Sequence, residues 1–217
     1  TEATLQNAPS LRHCWRSRIL SLNHFVNPNA ENKFCRLKNL RNESDVEQSL
    51  IRPLLEDLGY SEDYLETKAT IREINIGKKR RKRPYRPDFI CYSDKRHERP
   101  VLIVDAKNPG EDSEEGVADS QLYASVIRRS LTRPKPEQYC VGSNGTKIIV
   151  KHYDSDATEY ELDFADVQDG NSRYEAFKND MNRVARARSA ALLLEPFEFK
   201  KPDLDEIKGI FETCHNI

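Results

Sequence analysis

Apolar residues recur at intervals of three and four from Glu43 to Leu58, at Val46, Leu50, Ile51, Leu54, Leu55 and Leu58, and Gly59 follows as a stop signal. This spacing predicts an amphipathic helix. Pro53 inside it should either kink the helix or remove one backbone hydrogen bond. The period then shortens. Three runs have strand character: Leu65 to Ile76, Pro87 to Tyr92, and the almost wholly apolar Pro100 to Val104, which reads as a strand buried on both faces. Helical spacing returns over Glu114 to Arg129. Two further strand-like runs, 139–143 and 146–150, flank Asn144-Gly145 and predict a hairpin with a type I′ turn. Tyr160 to Phe164 adds a candidate strand, and Arg173 to Leu194 reads as one long helix, with an Ala-rich face suited to packing and arginines suited to packing or to DNA. Leu11 to Leu22 suggests an accessory helix. Pro196 and Pro202 mark a linker before another helix at Leu204 to Phe211. The order predicts an α/β fold, a central mixed sheet with helices packed on it.

Composition narrows the class. The 35 Lys plus Arg and 36 Asp plus Glu nearly cancel, and no run approaches the roughly 18 apolar residues of a membrane span. With no signal-peptide pattern at the amino end, the expected protein is soluble and cytoplasmic, with no membrane partner. Five scattered cysteines form no C-x-x-C pair, which argues against a zinc knuckle or a disulfide framework. The chain neither starts with Met nor ends on an obvious signal, so it is expected to be a piece of something longer. Charge is strongly segregated: residues 43–66 hold eight acids and one base, residues 78–99 ten bases and three acids. The adjacent cations Lys78, Lys79, Arg80, Arg81, Lys82 and Arg83 are expected to form an exposed loop, since six neighbouring like charges repel and cannot be buried. It reads as merely solvated, as a nuclear-localisation-like run, or as a contact for the phosphate backbone, with Arg86 beyond it.

Candidate chemistry sits on the central strands. Asp88 opens the second strand run and Asp105 ends the third, so pairing the two as a hairpin brings both acids to one end of the sheet. Alternation puts Lys107 on the same face as Asp105. Two carboxylates and an ammonium are the inventory for cutting a phosphodiester. Carboxylates hold Mg²⁺ through hard oxygens, the backbone carbonyl of Ala106 is a natural further ligand, and lysine can orient water or stabilise charge developing at phosphorus. Glu43 and Glu47 lie within the helix stripe that faces the core, where a carboxylate needs a partner. Glu47 has a second explanation, because Ser44-Asp-Val-Glu47 fits a capping box.

Glu43 with Val46 to Tyr60, then Arg86-Pro-Asp-Phe89, then Val101 to Gly110, and Ser143-Asn-Gly145, resemble in their order the amino-terminal nuclease domain of type I restriction enzyme R subunits, within the PD-(D/E)XK superfamily. The resemblance covers residues 42–153. It implies a restriction-endonuclease-like core, Asp88 and Asp105 as metal ligands, Lys107 as the catalytic lysine and Glu43 as a supporting acid. Two departures stand out. The third-strand acid is Asp rather than the commoner Glu. The Gln and Tyr that such domains carry four apart on the following helix are here two apart, as Gln121 and Tyr123, so they diverge by about 200° on a helix. Gln121 is carried over as a candidate catalytic residue.

These readings predict an extension at 1–41, a nuclease core at 42–168, a helix packing on the core or acting as a linker at 169–200, and a connector from 201 to 217. The expected function is a Mg²⁺-dependent endodeoxyribonuclease domain of a prokaryotic restriction or phage-defence enzyme, with Mn²⁺ able to substitute. Its partners would be double-stranded DNA and either further motor or methylase domains or a specificity subunit. Residues 1–217 carry no G-x-x-x-x-G-K-[ST] loop, so ATP-driven work would lie elsewhere. The rivals are a non-cleaving nucleic-acid-binding module and a docking domain.

Overall fold

The computed structural model describes residues 27, 29–69, 86–131 and 135–192. The basic run 78–83, most of the predicted 65–76 strand, the predicted helices near 11–22 and 204–211 and the Pro196–Pro202 linker lie outside the described residues.

Among the described residues, six strands form one mixed sheet in sequence order: β1 (Leu65–Thr67), β2 (Phe89–Tyr92), β3 (Pro100–Ala106), β4 (Tyr139–Ser143), β5 (Lys147–His152) and β6 (Thr158–Asp163). Every pairing is antiparallel except β3 with β4, which are parallel and joined by the crossover helix α3 (Ser113–Ser130). A parallel pair requires such a crossover, and β3 accordingly is buried on both faces. On one face, Ile103, Cys140 and Ile149 pack against Val117, Tyr123 and Ala124 of α3. On the other, Leu102, Val104, Val141, Ile148 and Val150 meet the helical stretch from Glu43 to Asp57 and Tyr174, Phe177 and Met181 of α4 (Ser172–Met181). Residues 29–41 join this second layer through Ala30, Phe34 and Leu40.

The 43–58 helix forms, with a local irregularity. It runs as α1 (Glu43–Val46), a π turn (Glu47–Ile51) and α2 (Arg52–Asp57). Pro53 has no N–H to give, and just before it Arg52 donates five residues back, to the Glu47 carbonyl, so the ladder widens rather than breaks. At the end, Gly59 has φ +86° and Tyr60 N–H returns to the Leu55 carbonyl at 2.9 Å, the closure that glycine permits.

Two local expectations are corrected. The β4–β5 hairpin exists, but its turn is not type I′. Ser143 pairs with Ile148, and Gly145 but not Asn144 has positive φ. The Asn144 side chain instead accepts from the backbone N–H of Thr146 (3.0 Å) and of Lys147 (3.1 Å), an Asx arrangement that substitutes for the turn's own bond. The long helix predicted from Arg173 breaks at Asn182, which is extended (ψ 151°) and caps α5 (Arg183–Leu192) by accepting from Ala185 N–H at 2.9 Å. The break lets Arg183 N–H reach the Leu58 carbonyl at 2.9 Å. Two of the arginines there pack: Arg183 lies 4.2 Å over the Tyr64 ring, and buried Arg186 pairs with Asp180, whereas Arg173 and Arg188 are exposed.

Candidate metal centre

The register Phe89↔Val104 continues to set Asp88 opposite Asp105 at the carboxyl end of β3. Both carboxyls are buried, 7% and 6% exposed. Asp88 Oδ2 accepts from Ala106 N–H at 2.7 Å, which locks the two strand ends together. The amino end of α1 is brought to the same place by Asn108, whose Oδ1 accepts from Glu43 N–H at 3.0 Å, while Asn42 caps the helix by accepting from Asp45 N–H at 2.9 Å. Because the helix starts at Glu43, Glu47 sits too far into it to serve a capping box. It is 2% exposed and turns toward Asp88.

Among the described residues, Glu43, Glu47 and Asp88 each offer a carboxylate oxygen within 4.8 Å of the other two. Lys68 stands beside them, its Nζ 3.2 Å and 3.1 Å from the two Glu47 oxygens. Its backbone holds a left-handed φ of 51°, unusual for lysine, and its N–H donates to the Asp88 carbonyl. Asp105 forms the adjoining half of the site. Lys107 Nζ lies 2.7 Å from its Oδ2, and among the described residues that buried oxygen has this ammonium as its one polar partner. The same ammonium lies 2.5 Å from Asp119 Oδ2 on α3. Tyr123, one turn further along α3, shares this face: burial first, then the charges of Asp105 and Asp119, raise its hydroxyl above the ordinary range.

The electrostatics follow from crowding acids away from water. Burial, reinforced by Glu47 and Glu43 against the Ala106 hydrogen bond, pushes Asp88 up to about 6. Burial pushes Asp105 up to about 7, although Lys107 pulls it down. Burial opposes the Lys107 charge, yet Asp105 and Asp119 outweigh it and hold the ammonium protonated. The all-oxygen donor set of Glu43, Glu47 and Asp88, with the buried Asp105 carboxylate beside it, fits a hard divalent cation.

Of the residues singled out from sequence, Glu43, Asp88, Asp105 and Lys107 are therefore brought together; Ala106, expected to offer its carbonyl, is seen there through its N–H, which donates to Asp88. Gln121 is not. Its amide donates to the carbonyls of His152 (3.1 Å) and Ser155 (2.9 Å), because the helix turns it away from the face that carries Asp119 and Tyr123. Arg86 is exposed, two residues before Asp88. The sequence pattern alone does not place Lys68, Asn108 or Asp119 in the site, and it leaves Glu47 divided between the core-facing stripe and a capping box. The signal available for Asp119 is its four-residue spacing from Tyr123, the separation expected of a Gln–Tyr pair.

No helix among the described residues is long and apolar enough to cross a membrane. No family model matches the chain, and no curated protein matches it. Among solved structures the chain is similar to a fragment assigned as an HsdR subunit of a type I restriction enzyme from Vibrio vulnificus YJ016, at 17% identity and a TM-score of 0.44. The match covers 64% of this chain and 26% of that one, so this chain spans well under half of that protein's length.

Proposed function

We propose that the chain is a metal-dependent endodeoxyribonuclease domain of the PD-(D/E)XK type, acting on double-stranded DNA within a prokaryotic restriction or phage-defence enzyme. The observation that carries this reading is the convergence of Glu43, Glu47, Asp88 and Asp105 with Lys107 at the carboxyl end of β3. Carboxylates from a helix and two strands are gathered where their mutual repulsion costs stability, which a purely structural role would avoid. Glu43, Glu47, Asp88 and Asp105 would hold Mg²⁺, or Mn²⁺ in its place. Bound there, the ion supplies positive charge that polarises a phosphoryl group. Lys107 adds a fixed ammonium where negative charge develops at phosphorus, and burial by α3 strengthens it. Lys78 to Arg83 and Arg86 would contact the DNA backbone, which positions DNA without reading its sequence. Target choice then belongs to further domains or a specificity subunit, in the cytoplasm.

Supercoiled plasmid incubated with the chain and Mg²⁺ is expected to be nicked, and EDTA is expected to stop it. Salt-sensitive DNA binding indifferent to metal, with no nicking, would favour the non-cleaving module instead. A linked pH dependence follows. A carboxyl whose pKa is higher in the fold than in the unfolded chain costs stability once the unfolded form ionises, so Asp88 and Asp105 cost the metal-free chain stability progressively from pH ~4 until the loss is complete above about 6 and about 7. A cation requires the ionised forms. Mg²⁺ should therefore raise Tm by several degrees at pH 8 and hardly at pH 5, as read by differential scanning fluorimetry; an equal shift at both would count against these ligands.

A further inference from the structure

Lys107 is the one described residue whose ammonium is shared by two carboxylates at this site, Asp105 at 2.7 Å and Asp119 at 2.5 Å. The two contacts differ in kind. Asp105 is buried, its side chain 8% exposed, whereas Asp119 Oδ2 accepts a hydrogen bond from Nζ at the margin of the site, where its side chain is 38% exposed. Asp105 thus meets the ammonium inside the site, where a metal ion would also bind, while Asp119 holds it from the side open to water. A divalent ion on Asp105 and the Lys107 ammonium would compete for the same oxygen. Lys68, which neutralises Glu47 on the opposite side, is 53% exposed and can withdraw into water. Lys107 is 17% exposed and cannot, because its stem is enclosed by α3, with its Cγ 3.5 Å from where a Cβ on Gly116 would lie. An ammonium displaced into such a place without a partner would be strongly unfavourable.

Resting on the metal-dependent reading above, we propose that Lys107 is an internal counter-cation occupying the metal's place on Asp105, and that Asp119 is a positioning residue which retains it when a divalent ion arrives. Asp119 thereby sets both the metal affinity of the site and the position of Lys107 beside the phosphate. Lys107 is then paired in both states, with Asp105 and Asp119 before metal binding and with Asp119 alone after it.

The test is Mn²⁺ affinity, by electron paramagnetic resonance of free Mn²⁺, for the full chain and for Lys107→Met, Asp119→Asn and the double variant at one pH, with circular dichroism to confirm folding. Lys107→Met removes the competitor and is expected to tighten Mn²⁺ binding by about tenfold. Asp119→Asn strands the displaced ammonium and is expected to weaken it by about tenfold, the scale of one partly buried charge contact. In the double variant the effect of Asp119→Asn should vanish, because it acts only through Lys107. If Asp119→Asn weakens binding equally in both backgrounds, Asp119 is only one more negative charge near the ion and the inference is overturned. If Lys107→Met leaves affinity unchanged or weaker, the counter-cation role is overturned. Failure of the unsubstituted chain to bind Mn²⁺ overturns the metal site itself. Good binding without DNA cleavage defeats only the nuclease reading.

Discussion

Asp88→Asn is expected to lower Mg²⁺-dependent plasmid nicking by on the order of a thousandfold while leaving the metal-free fold as stable as before, or more so. The substitution keeps the side chain's volume and one oxygen, which can still accept the Ala106 N–H now bound at 2.7 Å. It removes one charge from a group in which Glu43, Glu47 and Asp88 approach within 4.8 Å and Asp105 adds its own. Those charges repel in a place poor in water, so the neutral amide relieves strain that only a cation otherwise offsets. Loss of activity joined to an unchanged or raised Tm in EDTA would identify a group kept for function at a cost in stability. Undiminished nicking would remove Asp88 from the machinery. A lowered Tm would show instead that its charge helps hold the strands.

Gly142→Ala is expected to destabilise the chain by about 3 kcal/mol or more, a fall in Tm of about 10 °C. A Cβ at Gly142 would lie 2.3 Å from the Ser113 carbonyl oxygen and 2.4 Å from Val117 N, both backbone atoms of α3 that have no freedom to move aside. Gly116 faces it across the contact, where a Cβ would come 2.8 Å from the Asp105 carbonyl oxygen. These two glycines let α3 lie against β3 and β4, and that approach carries Asp119 and Tyr123 to the Lys107 side of the sheet. Any fold that survives Gly142→Ala must lift α3 and loosen the Lys107–Asp119 pair, so residual nicking should fall further than stability alone accounts for. Thermal unfolding reads the first effect; a loss under ~1 kcal/mol would refute the close packing.

The secondary elements are legible wherever one segment's own period or turn chemistry decides the outcome. Helical spacing from Val46 to Leu58, the stop at Gly59 and the apolar run ending at Asp105 are local properties, and antiparallel pairing of β2 with β3 follows from the short connection between them. These local properties alone are enough to bring Asp88, Asp105 and Lys107 to one end of the sheet. Local reading fails where a side chain replaces a backbone bond: Asn144 alters the hairpin turn, and Asn182 ends a helix whose apolar spacing gives no warning.

The rest of the site is decided by distance in space, which sequence spacing does not encode. Glu47 satisfies a capping-box pattern, and only the helix start at Glu43, held by Asn108 from the loop after β3, frees it to face Asp88. Lys68 arrives through an uncommon backbone conformation, and Asp119 through the two glycines that seat α3. Local chemistry determined the strand pair and the acid–acid–lysine set it bears; the tertiary structure chose which further charges surround them, because burial and repulsion act between whichever groups the packing brings together.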